Sequence, residues 1–152
     1  MSTKPHAAAH LDAARVEALI DARFPQVHAG GRSLLVEHIE ARRARVRMKH
    51  EERHTRPGGT VSGTAMFTLA DFGIYVAVIA ALGEDGIDAV TSNLNINFLA
   101  RPEARDLIAE VRLIRLGRRL AVGEVEIYSE GGTEMVAHAI GSYAVPSPSR
   151  AQ

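Results

Sequence analysis

The sequence predicts an α+β domain in which an antiparallel sheet wraps around a single buried helix. Three observations carry that prediction. The longest apolar run, Gly63 to Gly83, is bracketed by glycine and holds one charged side chain, Asp71. Two short stretches of alternating pattern precede it. Four longer ones follow, joined by turn-forming residues.

The apolar run fixes the centre. At helical spacing Thr64, Thr68, Asp71, Tyr75 and Val78 share one stripe, and Ala70, Gly73, Ala77 and Ala81 share another. The remaining faces carry Met66, Leu69, Phe72, Val76, Ile79 and Leu82, so the helix is apolar nearly all round and has to be buried. A membrane would bury it too. However, Asp71 near mid-span costs roughly 2.5–3.5 kcal/mol on insertion scales, and no basic flank orients the segment. A core helix is expected, and a carboxylate in a core is paired, protonated, or opens onto a cleft where it does chemistry.

Composition narrows the classes. A chain of 152 residues fits one domain, expected over residues 10–146, with an N-terminal tail over 1–9 and a C-terminal tail over 147–152. Lys+Arg 18 balances Asp+Glu 18, so no global field argues for nucleic acid or an anionic membrane surface. The absence of cysteine excludes disulfides, a thiol nucleophile and cysteine metal sites. Met1 to His10 has no hydrophobic core of a secretory signal, so a cytoplasmic location is expected. Without tryptophan and with few aromatics, base-stacking surfaces are not expected.

Taken in order, Leu11 to Phe24 places Leu11, Val16, Leu19, Ile20 and Phe24 near helical spacing, and Pro25 stops the helix. Gly30-Gly31 turns the chain into two strands, Ser33 to Ile39 and Ala41 to Lys49. In the second, Ala44, Val46 and Met48 alternate with Arg43, Arg45, Arg47 and Lys49, a half-buried strand whose basic outer row is read as solvated, or less readily as a phosphate site. His50-Glu51-Glu52-Arg53-His54 matches the zinc pattern H-E-x-x-H. That chemistry needs a helix to put both histidines on one face, whereas here a strand precedes and Pro57-Gly58-Gly59 follows, so no metal is expected. His54 is left as a possible lining residue of a cleft beside Asp71.

Arg56 to Gly63 is a glycine-rich loop that runs into the central helix. A helix N-terminus presents unpaired N–H groups to developing negative charge, and glycine lets a ligand come close. Past Gly83-Glu84-Asp85-Gly86 the chain is all strand. Val90, Ser92, Leu94, Ile96 and Phe98 fall on one face, and Thr91, Asn93, Asn95 and Asn97 on the other. Asparagine is depleted in strands, so this face is read as a polar surface, a subunit seam or a ligand surface. Leu107 to Leu113, Leu120 to Ser129 and Glu134 to Val145 complete the sheet, with turns at Gly117-Arg118-Arg119 and Glu130-Gly131-Gly132-Thr133.

Ser62-Gly63-Thr64 followed by Leu69-Ala70-Asp71 resembles the His-Gly-Gly…Leu-Ala-Asp signature of hotdog-fold acyl-CoA thioesterases of the phenylacetate-degradation (PaaI-like) type. Thr91 to Phe98, Gly117 to Leu120 and Met135 to Ala139 resemble that family's later strands, so the likeness spans Arg56 to Val145. It implies a hotdog fold that hydrolyses acyl-CoA thioesters without a cofactor, as a homodimer or homotetramer with sites shared between subunits. By the same likeness Gly63 N–H polarises the thioester carbonyl, Asp71 is general base or nucleophile, and Thr91, with Ser92 beside it, helps to hold water. Substrate contacts fall to Arg56, Ser62 and Thr64 around the loop, and to Arg101, Arg118 and Arg119 for the CoA phosphates. Two positions depart from the pattern: Ser62 stands where the family has histidine, and Arg56 where it has asparagine. The competing readings are a catalytically silent acyl-CoA-binding module and a hotdog hydratase, which would need His54 or His138 beside Asp71.

Overall fold

The computed structural model describes residues 10–147, so the expected tail at 1–9, and the expected tail at 147–152 apart from its first residue, lie outside the described residues. Two α-helices, α1 (Ala13–Arg23) and α2 (Gly63–Leu82), accompany six strands. These are β1 (Leu34–Glu40), β2 (Arg43–Met48), β3 (Val90–Phe98), β4 (Leu107–Leu116), β5 (Leu120–Ser129) and β6 (Met135–Ala144). All pair antiparallel in one sheet of order β1-β2-β4-β5-β6-β3. The expected α+β architecture, a hotdog fold, is therefore the observed one.

Local chemistry sets the limits of α2. Ser62 caps its start by accepting a hydrogen bond from Ala65 N–H at 3.1 Å. Gly83, at φ +66°, ends it, with its N–H turned back to Ile79 O. The sheet wraps α2, which touches every strand. The helix is long and apolar enough to cross a membrane by those criteria alone, yet 72% of its most apolar window is buried inside the domain. Closeness is bought with small residues: a Cβ at Gly73 would sit 2.8 Å from Val111 Cγ2, and one at Gly141 would sit 2.8 Å from Ile74 Cδ1.

The two edges of the sheet differ. Helix α1 buries Val16 and Ile20 against β1 and α2. At a bulge in β1, Val36 N–H donates to Glu17 Oε1 of α1 at 2.8 Å. That edge is blunted. At the opposite edge β3 pairs only with β6, and most of its residues are exposed, including Val90 and Phe98.

Two arginines of the basic row on β2 are held in ion pairs. Arg47 contacts Glu37, Asp106 at 3.0 Å and Glu130 at 2.9 Å, and Arg45 contacts Glu37 at 3.1 Å and Glu110 at 3.6 Å. With their charges matched by carboxylates, these arginines do not form a phosphate site. The first expected strand is displaced by one residue, to Leu34–Glu40, and the second is shorter than predicted, because Ala41 and Arg42, the latter at φ +60°, make the turn between them.

Candidate functional site

Asp71 lies in the middle of α2, on the side facing β3 and β6. Thr91 Oγ1 donates to Asp71 Oδ1 at 2.7 Å. Tyr143 of β6 brings its hydroxyl to the same Oδ1 at 2.6 Å and to the backbone oxygen of Asp71 at 2.9 Å. No donor among the described residues reaches Oδ2.

A backbone irregularity makes the Thr91 contact possible. Strict alternation would place Thr91 with Asn93, Asn95 and Asn97 on one face. Instead the register with β6 slips between Thr91 and Asn93, where Ser92 is extra. Thr91 pairs with Tyr143, and both turn inward to Asp71, while Asn93 pairs with Ser142 and turns outward. A bulge of this kind re-aims one side chain without breaking the strand. Ser92 itself bonds Ser142 O at 3.2 Å and stands apart from Asp71.

Aromatic packing holds the second donor still. Tyr143 is 4% exposed and stacks on Tyr75, with ring centroids 5.9 Å apart and planes 15° off parallel. Tyr75 donates to Ile87 O at 2.7 Å and meets Phe24 edge-on at 6.1 Å. Burial, followed by the Asp71 carboxylate, pushes the Tyr143 phenol well above its usual range. Burial and Asp88 push Tyr75 up too. Both rings therefore remain protonated donors at neutral pH.

These side chains line a cavity of about 610 Å³, walled by Phe24, Ile87, Ala89 and Val90, with Arg23 and Asp88 among its lining residues. Among the described residues no histidine lines it. His54, expected as a neighbour of Asp71, instead lines a separate cavity of about 340 Å³ with Ser62, Thr64 and Thr68. His138 approaches Glu124 at 3.9 Å and is likewise absent from the Asp71 cavity. Among the described residues the aspartate–histidine pair that a hydratase would need is therefore not formed. His50 and His54 do not share a helix face, because Glu52–His54 is only a short 3-10 turn. Among the described residues no three histidine, aspartate or glutamate side chains cluster as metal ligands.

The other predicted residues fall into two groups. Gly63 opens α2, and with the Ser62 hydroxyl engaged by Ala65, the Gly63 and Thr64 N–H groups have no partner inside the helix. The Phe98 ring lies against Gly63, where a Cβ would come within 3.1 Å of Cζ. Arg56 lies in the preceding loop and Arg101 just beyond β3, at this same end. Arg118 and Arg119 sit in the β4–β5 turn, and Leu120 pairs with Ala144, itself paired with Val90. That turn is at the Asp71 end. Asp71 lies eight positions along the helix from Gly63, about 12 Å at 1.5 Å per residue. One chain does not bring its own Gly63 and Asp71 onto a single carbonyl.

Sequence reasoning missed Tyr143 and Phe24. Tyr143 sits in an ordinary alternating strand, and only the β3–β6 register, a pairing of segments far apart in the chain, reveals that it faces Asp71.

Comparison with known proteins points one way. The family model described as Thioesterase superfamily matches residues 58–136. The chain is 32% identical over 110 residues to an esterase of Saccharolobus solfataricus, covering 72% of this chain and 71% of that one. A crystal structure of a thioesterase from Silicibacter sp. TM1040 superposes with a TM-score of 0.79 at 37% identity, covering 90% of this chain and 93% of the other. A phenylacetic acid degradation-related thioesterase from Ralstonia eutropha JMP134 does so at 0.73 and 28%, covering 86% and 98%. All three names carry the qualifier putative.

Proposed function

The chain belongs to the thioesterase superfamily, and from that membership and the geometry around Asp71 we propose that it hydrolyses acyl-CoA thioesters. The observation that carries the proposal is a carboxylate with one oxygen held by two hydroxyl donors and the other without a donor, lining a cavity with apolar and aromatic walls. Such a cavity suits an acyl group, and the undonated oxygen suits a water molecule.

The reaction runs as follows. Asp71 Oδ2 takes a proton from water as the water oxygen attacks the thioester carbonyl carbon. The carbonyl oxygen becomes an oxyanion, stabilised by a helix-start N–H. Collapse of the tetrahedral intermediate breaks the C–S bond. The protonated Asp71 then returns its proton to the departing CoA thiolate, leaving a carboxylic acid and CoA.

The N–H in question is that of Gly63 in a second copy. The attacked carbon has to lie roughly 3–3.5 Å from the water, so an amide about 12 Å along the same helix is out of reach. The open β3 edge supports antiparallel pairing with itself in a homodimer. In each chain Gly63 lies beneath Phe98 at one end of β3, and Asp71 beside Thr91 at the other. Antiparallel pairing of two β3 strands brings these ends together, so that Gly63 of the partner subunit approaches Asp71. The exposed Asn93, Asn95 and Asn97 then lie along the seam, and Arg56 and Arg101 of one chain come to the same end as Arg118 and Arg119 of the other, as a CoA phosphate site requires.

The test is thiol release from a panel of acyl-CoAs by the wild-type protein and by Asp71→Asn. Turnover by the first and not the second is expected. Tight binding without thiol release from any member of the panel would replace the hydrolase with an acyl-CoA-binding module.

A further inference from the structure

We propose that Tyr143 is a positioning residue for the reaction, selecting which oxygen of Asp71 does the chemistry. The inference rests on the thioesterase reading above and assigns a role within it.

A carboxylate on a helix can rotate and present either oxygen. Here three features remove that freedom. Tyr143 and Thr91 both reach Oδ1, at 2.6 Å and 2.7 Å, so that oxygen is occupied by donors. The Tyr143 hydroxyl also lies 2.9 Å from the Asp71 backbone oxygen, which ties the side chain to its own helix turn. Tyr143 in turn cannot follow a moving carboxylate. It is 4% exposed, stacked on Tyr75, and carried by β6, which is paired on both sides, with Ala121 of β5 and with Thr91 of β3 opposite this residue. A strand of the sheet thus fixes a reactive group of the helix. Oδ2 is the oxygen left for water.

The surroundings leave this task to the two hydroxyls. The titratable and charged groups lining the cavity are Arg23 from the end of α1, Asp71 and Tyr75 from α2, Asp88 from the approach to β3, and Tyr143. Arg23 faces Asp88 at 4.0 Å, and both are largely exposed. Neither Arg23 nor Tyr75 is hydrogen-bonded to the Asp71 carboxylate.

Tyr143→Phe is the test, because it keeps the ring, the stacking and the volume and removes one oxygen. The expected result is a fall in kcat on the order of 10- to 100-fold, the scale of losses from misplaced reacting groups, with KM within about twofold. Thr91→Val, which releases the other donor, is expected to lower kcat in the same way. Ile127→Val, a fully buried change on β5 away from the cavity, supplies the control: it should lower the melting temperature and leave kcat and KM alone. Wild-type kcat in Tyr143→Phe would overturn the inference while leaving the thioesterase standing. So would a loss no larger than that of Ile127→Val. Absence of thiol release by the wild-type protein would remove both.

Discussion

Asp71→Asn isolates the chemistry of the site from its architecture. Asparagine keeps an acceptor oxygen where Oδ1 stands, so the donors from Thr91, at 2.7 Å, and Tyr143, at 2.6 Å, retain their partner. The amide nitrogen takes the place of Oδ2, which has no donor to lose. Packing is unchanged, because the two side chains have nearly the same shape. What disappears is the ability to take a proton, worth about 10²–10⁴ in rate for a positioned acid–base group. At 1.36 kcal/mol per decade, that is about 2.7–5.4 kcal/mol of transition-state stabilisation. Asp71→Ala should be as inactive but slightly less stable. Tyr143 would keep its 2.9 Å contact with the backbone oxygen of residue 71, so its buried hydroxyl would not be orphaned. The net cost is then close to one ordinary hydrogen bond, about 1 kcal/mol, or about 2–4 °C in melting temperature for a chain of this size. The assay is thiol release under saturating acyl-CoA, with thermal unfolding of each variant alongside. A folded Asp71→Asn protein that turns over at the wild-type rate would refute the reasoning.

Further outcomes follow from the same structure. Arg118→Ala and Arg119→Ala should raise KM for acyl-CoA at low salt and lose that effect at high salt, since the proposed phosphate contacts are charge-assisted and exposed; an unchanged, salt-independent KM would count against them. Sedimentation at micromolar concentration should find at least a dimer, and an active folded monomer would contradict the shared site. Gly141→Ala should destabilise by about 1–3 kcal/mol, because its Cβ would lie 2.6 Å from Leu94 Cδ1 and 2.8 Å from Ile74 Cδ1; a lower urea midpoint at constant slope is the readout. Burial, then neighbouring Arg53, holds His54 below its ordinary value of 6.5. The unfolded chain thus binds more protons than the native one between the lowered value and 6.5, and His54's contribution is complete above that window and lost as pH falls through it. Urea unfolding from about pH 7.5 to about pH 5 should show stability falling, with a shallower fall in His54→Gln; an identical slope in the variant would show that His54 is not the group responsible.

Much of this architecture is legible in the sequence because it is locally encoded. Ser62 and Gly83 state where α2 begins and ends, and the apolar girth between them states that it is buried. The four strands after it declare themselves by alternation and by glycine turns. What escapes is whatever depends on one strand's register against a distant one. The extra residue at Ser92 shifts the face on which Thr91 lies, and a pattern of period two has no sign for that shift. Tyr143 becomes part of the site only once β6 lies beside β3. The same holds for Phe98 over Gly63, and for the carboxylates of Glu37, Asp106 and Glu130 that gather around Arg47 of β2. Family likeness named Thr91 where periodicity misplaced it, because a motif preserves the outcome of a register without describing it.

The unequal edges of the sheet bear on how such chains can accumulate. A strand edge with free amides is a template for the next molecule, and a protein with two of them can grow without limit. This chain has spent one: Glu17 of α1 occupies the Val36 amide at a bulge in β1, so an incoming strand would find neither a regular ladder nor a free donor at that point. Among the described strands β3 is the edge with no such block. In the proposed pairing of two copies through that edge about a two-fold axis, each consumes the other's template, and the united sheet ends on both sides at a β1 interrupted at Val36. Strand addition at those outer edges is then hindered at the point where Glu17 sits. A substitution that freed the Val36 amide, such as Glu17→Ala, would lift that hindrance at the far edge.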